Sequence, residues 1–155
     1  MLILLFLGLF LSGRKIRQTE KGGYLIDKTI LSIPGIRTIA RKIAVARFSG
    51  TLGSLLENGI PMLTALEIVK NIVGNRLIAA AIEETADKVE KGMGLGISLE
   101  ETGIFPHLSI QMIKVGEQSG DLEEMLKKTA QIFDNEVKTA LAGLTSLLQP
   151  ILVVF

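Results

Sequence analysis

The sequence predicts an all-α protein: an antiparallel bundle of about six helices, with partial transmembrane helices at both ends. Three observations carry that prediction. Through the middle of the chain apolar residues recur at three- and four-residue intervals, with no sustained period of two. Glycines at Gly59, Gly74, Gly92, Gly103 and Gly120 cut this pattern into short segments, too short for anything but a hairpin-linked bundle. Both termini are instead nearly continuous apolar runs, Met1 to Leu11 and Leu141 to Phe155.

Composition bounds the rest. A chain of 155 residues holds one domain with length to spare for membrane segments. Mean hydropathy of +0.44 is high for a soluble protein, and the two ends account for it. The absence of cysteine excludes a disulfide scaffold and thiolate chemistry. The formal net charge of +1 conceals an asymmetry, because Gly13 to Arg47 carries nine Lys/Arg against Glu20 and Asp27, whereas the acidic excess lies beyond Phe48. A basic stretch directly after an apolar one is the positive-inside pattern of a cytoplasmic loop. An acidic folded part argues against nucleic acid as a partner.

Taken in order, residues 1–12 read as the end of a transmembrane helix whose beginning is missing, since the basic Arg14, Lys15 and Arg17 follow the apolar run instead of preceding it as a signal peptide requires. Residues 13–46 read as a basic juxtamembrane connector closed by Pro34-Gly35, with a helix starting near Thr38 and running to about Asn58. Residues 47–140 form the cytoplasmic helical-bundle domain, and 141–155 the start of a second transmembrane helix. In the first helix Ile43, Phe48, Leu52, Leu55 and Leu56 share a face, and Gly59 ends it. Pro61 opens the next, with Leu63, Leu66, Val69 and Ile72 or Val73 inward and Gly74-Asn75 as the stop. Arg76 to Lys91 is a third amphipathic helix, and a short one through Leu99 ends at Gly103. From Phe105 to Leu126 the pattern is a helical hairpin turning at Ser119-Gly120. Asp121 is placed to cap the second arm, with Glu124 three residues on as the reciprocal partner of a capping box. Pro150 is expected to kink the last helix.

No catalytic constellation is visible. GMGLG at Gly92 to Gly96 lacks the Lys-Ser/Thr of a phosphate loop and reads as turn punctuation, and GTLGS at Gly50 to Ser54 reads as a place of close helix packing, not a nucleophile elbow. His107 is the only histidine and has no partner for a metal or a nucleophile, nor is there a Glu-x-x-His pair of the kind helical metalloproteins use. Glu117 and Asp121 bracket the hairpin turn. They read either as oxygen ligands for Ca²⁺ or, the preferred reading, as a helix cap and a surface carboxylate. No other cofactor is expected.

The segments RFSGTLGSLLENGIPMLTALEIV (Arg47 to Val69), VGNRLI (Val73 to Ile78), GIFPHLSIQMIKVGEQSGDLEEML (Gly103 to Leu126) and LTSLLQPILVVF (Leu144 to Phe155) resemble the F-protein family of type II secretion systems, shared with the platform proteins of type IV pili. The apolar start and basic connector resemble the region before the second of that family's two cytoplasmic domains. The resemblance implies a non-enzymatic, multi-pass protein of the bacterial inner membrane with a cytoplasmic bundle. It also implies as partners a cytoplasmic secretion ATPase, other inner-membrane secretion components, pilin-like subunits and further copies of itself. LTSLLQP is closer to the secretion branch than to the pilus branch. Gly59, Gly103, Phe105, Pro106, Gly116 and Gly120 match the family pattern and, with Pro61, are read as fold determinants, and Ca²⁺ binding near the VGE turn in some members bears on Glu117 and Asp121. GMGLGIS departs from the pattern, where serines and an alanine are expected. Two other classes remain open on the residues alone: a membrane-anchored helical metal-binding protein, and a secreted helical module with a signal peptide.

Overall fold

A computed structural model describes residues 34–154, leaving out the side chains of 34, 147–149 and 151–154. The expected transmembrane stretch 1–12 and most of the basic connector lie outside the described residues. Within them there are six α-helices and no strand: α1 (Pro34–Glu57), α2 (Met62–Ile72), α3 (Arg76–Glu90), α4 (Leu95–Glu101), α5 (His107–Ser119) and α6 (Leu122–Val154). The all-α bundle is therefore as predicted. Among these helices none is long and apolar enough to cross a membrane.

α1 and α6 are the spine, and they run antiparallel. Lys42 pairs with Glu136 at 2.9 Å toward one end, and Lys127 pairs with Glu57 at the other. Between them the helices approach closely because Gly50 and Gly53 carry no side chain. A Cβ on Gly53 would lie 3.1 Å from the Leu126 Cβ and 3.2 Å from the Glu123 carbonyl oxygen, and one on Gly50 would lie 3.4 Å from the Ala130 Cβ. The GTLGS segment is thus the packing site its sequence suggested.

α1 begins at Pro34, four positions before the expected Thr38. Proline does not close the preceding segment; it opens the helix, since its fixed φ is already helical and its missing N–H would have no partner in the first turn. Ala44 and Val45, assigned from sequence to the connector, are buried in the core as a result. That core is shared by all six helices and is built on Phe48, Leu52, Leu66, Ile82, Leu99, Ile110, Ile113 and Leu126. Phe48 meets Phe105 edge to face, with ring centroids 5.0 Å apart. Of the expected core residues Leu63 falls elsewhere, at 40% exposed, and of the alternatives Ile72 and Val73 it is Val73 that is buried. In α2 the buried set is Ala65, Leu66 and Val69, with Val73 following. Leu63 lies at the edge of that face, on the rim of the groove between α2 and α3.

Gly74, at φ +75°, ends α2 as expected, whereas Asn75 belongs to the next helix. Its side chain accepts hydrogen bonds from the amides of Leu77 and Ile78 at 2.9 and 3.2 Å, an N-cap for α3. Pro61 immediately precedes α2, as predicted. At 1.5 Å per residue the 33 residues of α6 extend roughly 50 Å, with Pro150 inside the helix. Leu141 and Leu144 on its distal part are about half exposed.

Candidate functional site

The hairpin of α5 and α6 is the best-determined joint in the molecule. α5 ends at Gly120, whose φ of +80° places it in the left-handed region that favours glycine. The amides of Gly120 and Asp121 both donate to the Gly116 carbonyl, at 3.0 and 3.1 Å. Gly116 must also be small, since a Cβ there would lie 2.9 Å from the Leu122 Cα and 2.9 Å from the Met125 Cβ. The turn and the close helix contact are thus fixed by two glycines four residues apart.

The expected capping box is not formed. Because the Asp121 amide is already bonded to Gly116, Glu124 has no donor to reciprocate; it pairs forward with Lys128 at 2.7 Å instead. The hydrogen bond to Lys128, and then its charge, hold the Glu124 carboxyl below the usual range. Lys128 is raised by the same contacts, with a further contribution from Asp121. Asp121 is exposed and lines a groove with Leu56, Glu57, Glu123, Glu124 and Lys127.

Glu117 is turned the other way, toward α4. One carboxylate oxygen accepts the amide proton of Leu95 and the other that of Gly96, at 2.9 Å for the latter. These amides are unpaired donors at a helix N-terminus, which Gly94 in the N-cap position has no side chain to satisfy. α4 is thus capped from another helix. The approach is close enough that a Cβ on Gly96 would lie 2.5 Å from Lys114 Cγ, 3.2 Å from a Glu117 oxygen and 3.3 Å from the Lys114 amide nitrogen. Lys114 continues the contact by an ion pair to Glu100. GMGLG is therefore more than punctuation: Gly92 makes the turn at φ +92°, and Gly96 is the seat into which α5 settles.

Glu117 and Asp121 are consequently not brought together. Both Glu117 oxygens are engaged by backbone amides, and Asp121 opens onto a groove that Glu117 does not line. Among the described residues no three His, Asp or Glu are grouped so as to hold a metal ion. The arrangement fits a capped joint at Glu117, and Glu117 and Asp121 do not form one shared set of oxygen ligands. Of the remaining residues singled out from sequence, Gly59 and Gly103 are positive-φ helix ends, Phe105 is in the core, and Pro106 precedes α5. His107 is exposed.

A second feature has no precedent in the sequence reading. Near the start of α1 a groove of about 510 Å³ is lined by Arg37, Thr38, Arg41, Lys42, Pro106, Leu108, Phe133 and Glu136. Only the spacing of Arg37, Arg41 and Lys42 along one helix foreshadows it.

Residues 48–155 match the family model described as type II secretion system (T2SS), protein F. The chain is 39% identical to the type IV pilus assembly protein PilC of Myxococcus xanthus over 89% of its own length and 33% of that protein's. It is 37% identical to the protein of that name from Pseudomonas aeruginosa, over 88% and 36%. With the type II secretion system protein F of Xanthomonas campestris it shares 36% over 94% and 36%. The chain spans about a third of the length of these curated relatives.

Proposed function

The chain belongs to the type II secretion system protein F family, and we propose from that premise that it contributes a non-enzymatic domain to the inner-membrane platform of an envelope-spanning assembly machine. The family match over 48–155 carries the reading. The bundle is consistent with it, because the described residues are organised to lock helices together, through glycine contacts, the Glu117 cap and interhelical ion pairs, and present no catalytic arrangement. In this reading the basic connector holds the bundle on the cytoplasmic side of the membrane. There its faces meet the assembly ATPase, pilin-like subunits, other inner-membrane components and further copies of the platform.

Two branches share the family. The segment LTSLLQP at Leu144 to Pro150 supports the secretion branch, whereas the slightly higher identities, 39% and 37% against 36% and 35%, support the pilus branch. Pseudomonas aeruginosa has a relative of each kind, which makes the test direct. Residues 34–154 are exchanged for the matching segment of each relative in strains lacking it, and surface pili and exported protein are scored. Recovery of one output assigns the branch. Stable chimaeras that restore neither would overturn the platform reading.

A further inference from the structure

The groove between the start of α1, the start of α5 and the middle of α6 has a composition that a merely structural crevice does not need. Arg37, Arg41 and Lys42 bring three cations to its wall, and its only carboxylate, Glu136, is already paired with Lys42 at 2.9 Å. Arg41 reaches the Gly103 carbonyl with one terminal nitrogen at 3.4 Å, a weak contact, while its Nε is buried without a hydrogen-bond partner. A buried donor left unsatisfied is destabilising. Burial, and then the neighbouring charge of Arg37, also push the Arg41 guanidinium below its ordinary range. An anion in the groove would offset the repulsion between these like charges. Opposite the cations the wall is apolar: Leu108 is 47% exposed, Phe133 forms the buried floor, and Pro106 lies beside them.

The position of the groove selects among anions. The pairing of Lys42 with Glu136 and of Glu57 with Lys127 means that the start of α1 lies beside the part of α6 approaching Leu141, where the apolar run begins. The groove is therefore at the pole from which α6 leaves the bundle into the apolar run that begins at Leu141. We propose that it binds the phosphodiester headgroup of an anionic phospholipid, with Arg37 and Arg41 on the phosphate and Leu108 and Phe133 against the glycerol and first acyl carbons. A soluble phosphate would use the cations but leave the apolar wall wet. The inference rests on the membrane reading given above.

The test uses the full chain offered to vesicles of phosphatidylcholine alone and of phosphatidylcholine mixed with phosphatidylglycerol, with bound lipid counted by native mass spectrometry after detergent release. Each surface cation contributes about 1 kcal/mol toward an anionic leaflet, a factor of about five. Phosphatidylglycerol should therefore be retained over phosphatidylcholine, and Arg37→Gln and Arg41→Gln should each lower that preference roughly fivefold. Arg47→Gln, on the same helix but outside the groove, should not. Circular dichroism confirms that each variant is folded, and Arg37, being exposed, is the safer substitution. Insertion into both vesicles with no lipid preference overturns the site and leaves the membrane reading intact; failure to associate with either overturns both. Equal loss of preference in Arg47→Gln, or stabilisation by inorganic phosphate matching that by lipid, would also overturn the proposal.

Discussion

The Glu117 carboxylate on α5 accepts the amide proton of Leu95, 22 residues earlier, and so closes the N-terminus of a helix to which it does not belong. α4 has only seven residues and Gly94 gives it no cap of its own. A helix this short is marginal in isolation, so its order depends on that contact and on the burial of Leu95 and Leu99.

Glu117→Ala should therefore lower stability by about 1–3 kcal/mol, since two helix-terminal amides lose an ionised acceptor. Asp121→Ala should cost less than about 0.5 kcal/mol, as expected of an exposed side chain. Chemical denaturation of the folded bundle measures both. Millimolar Ca²⁺ should leave the thermal midpoint of the unmutated chain where a chelator leaves it. A ligand bound only by the folded state must raise that midpoint, so an upward shift abolished by Glu117→Gln would replace the joint with a cation site.

The glycines separate into seats and spacers. Gly96→Ala and Gly116→Ala place a methyl within 3.0 Å of neighbouring atoms, the Leu122 backbone included in the second case. Each should destabilise by roughly 1–3 kcal/mol through overpacking. Gly143→Ala meets nothing within 4 Å on a helix surface and should be neutral or stabilise by up to about 1 kcal/mol. Equal effects at Gly116 and Gly143 would mean that the hairpin is not as tight as described.

Core truncations should divide in the same way. Leu52 and Leu66 are fully buried, so replacement by Ala should cost about 2–5 kcal/mol at each. Leu63→Ala, on the same helix as Leu66 but at its exposed rim, should cost less than about 1 kcal/mol. Urea midpoints at constant slope give the comparison.

Lys88 joins α3 to α4 by an ion pair of 2.7 Å to Glu101 and pairs within α3 with Glu84, also at 2.7 Å. Its hydrogen bonds to Glu101 and then Glu84 raise its pKa above the ordinary lysine value. A group whose folded pKa is raised stabilises fully below its unfolded pKa and loses that contribution as pH rises through the folded one. The margin of the unmutated chain over Lys88→Gln should be constant near neutrality and shrink above a pH of about 10.4. Being solvent-exposed, the pair should also lose effect in high salt. A margin that instead grows with pH would show that Lys88 contributes through packing.

Helix existence was legible wherever the signal is local. Pro61 before α2, Gly74 after it, and the Gly120 turn each act on the residues beside them, and each is where the pattern placed it. The role of Glu117 was not legible, because its partners are brought to it by the docking of α4 on α5 and no short-range spacing encodes that contact. Leu63 was misplaced for a related reason: a helical stripe identifies a face only to within one residue per turn, and the buried face of α2 is centred on Ala65, Leu66 and Val69. Asp121 and Glu124 had the letters of a capping box, yet the Gly116 carbonyl, freed by the left-handed Gly120, took the donor that box requires. The groove around Arg41 depends on how α1 crosses α5 and α6, so its cations were countable in the sequence but their convergence was not.

The antiparallel spine gives the bundle a mechanical polarity. With the start of α1 and the outgoing part of α6 side by side, a pull on the α5–α6 turn loads α6 lengthwise and reaches α1 as shear along the seam, all of whose contacts resist together. Drawing the two chain ends apart sideways does the opposite. It peels the seam from the Lys42–Glu136 pair inward, one contact at a time, until it reaches Gly50 and Gly53, where the backbones are closest and the zipper should stall.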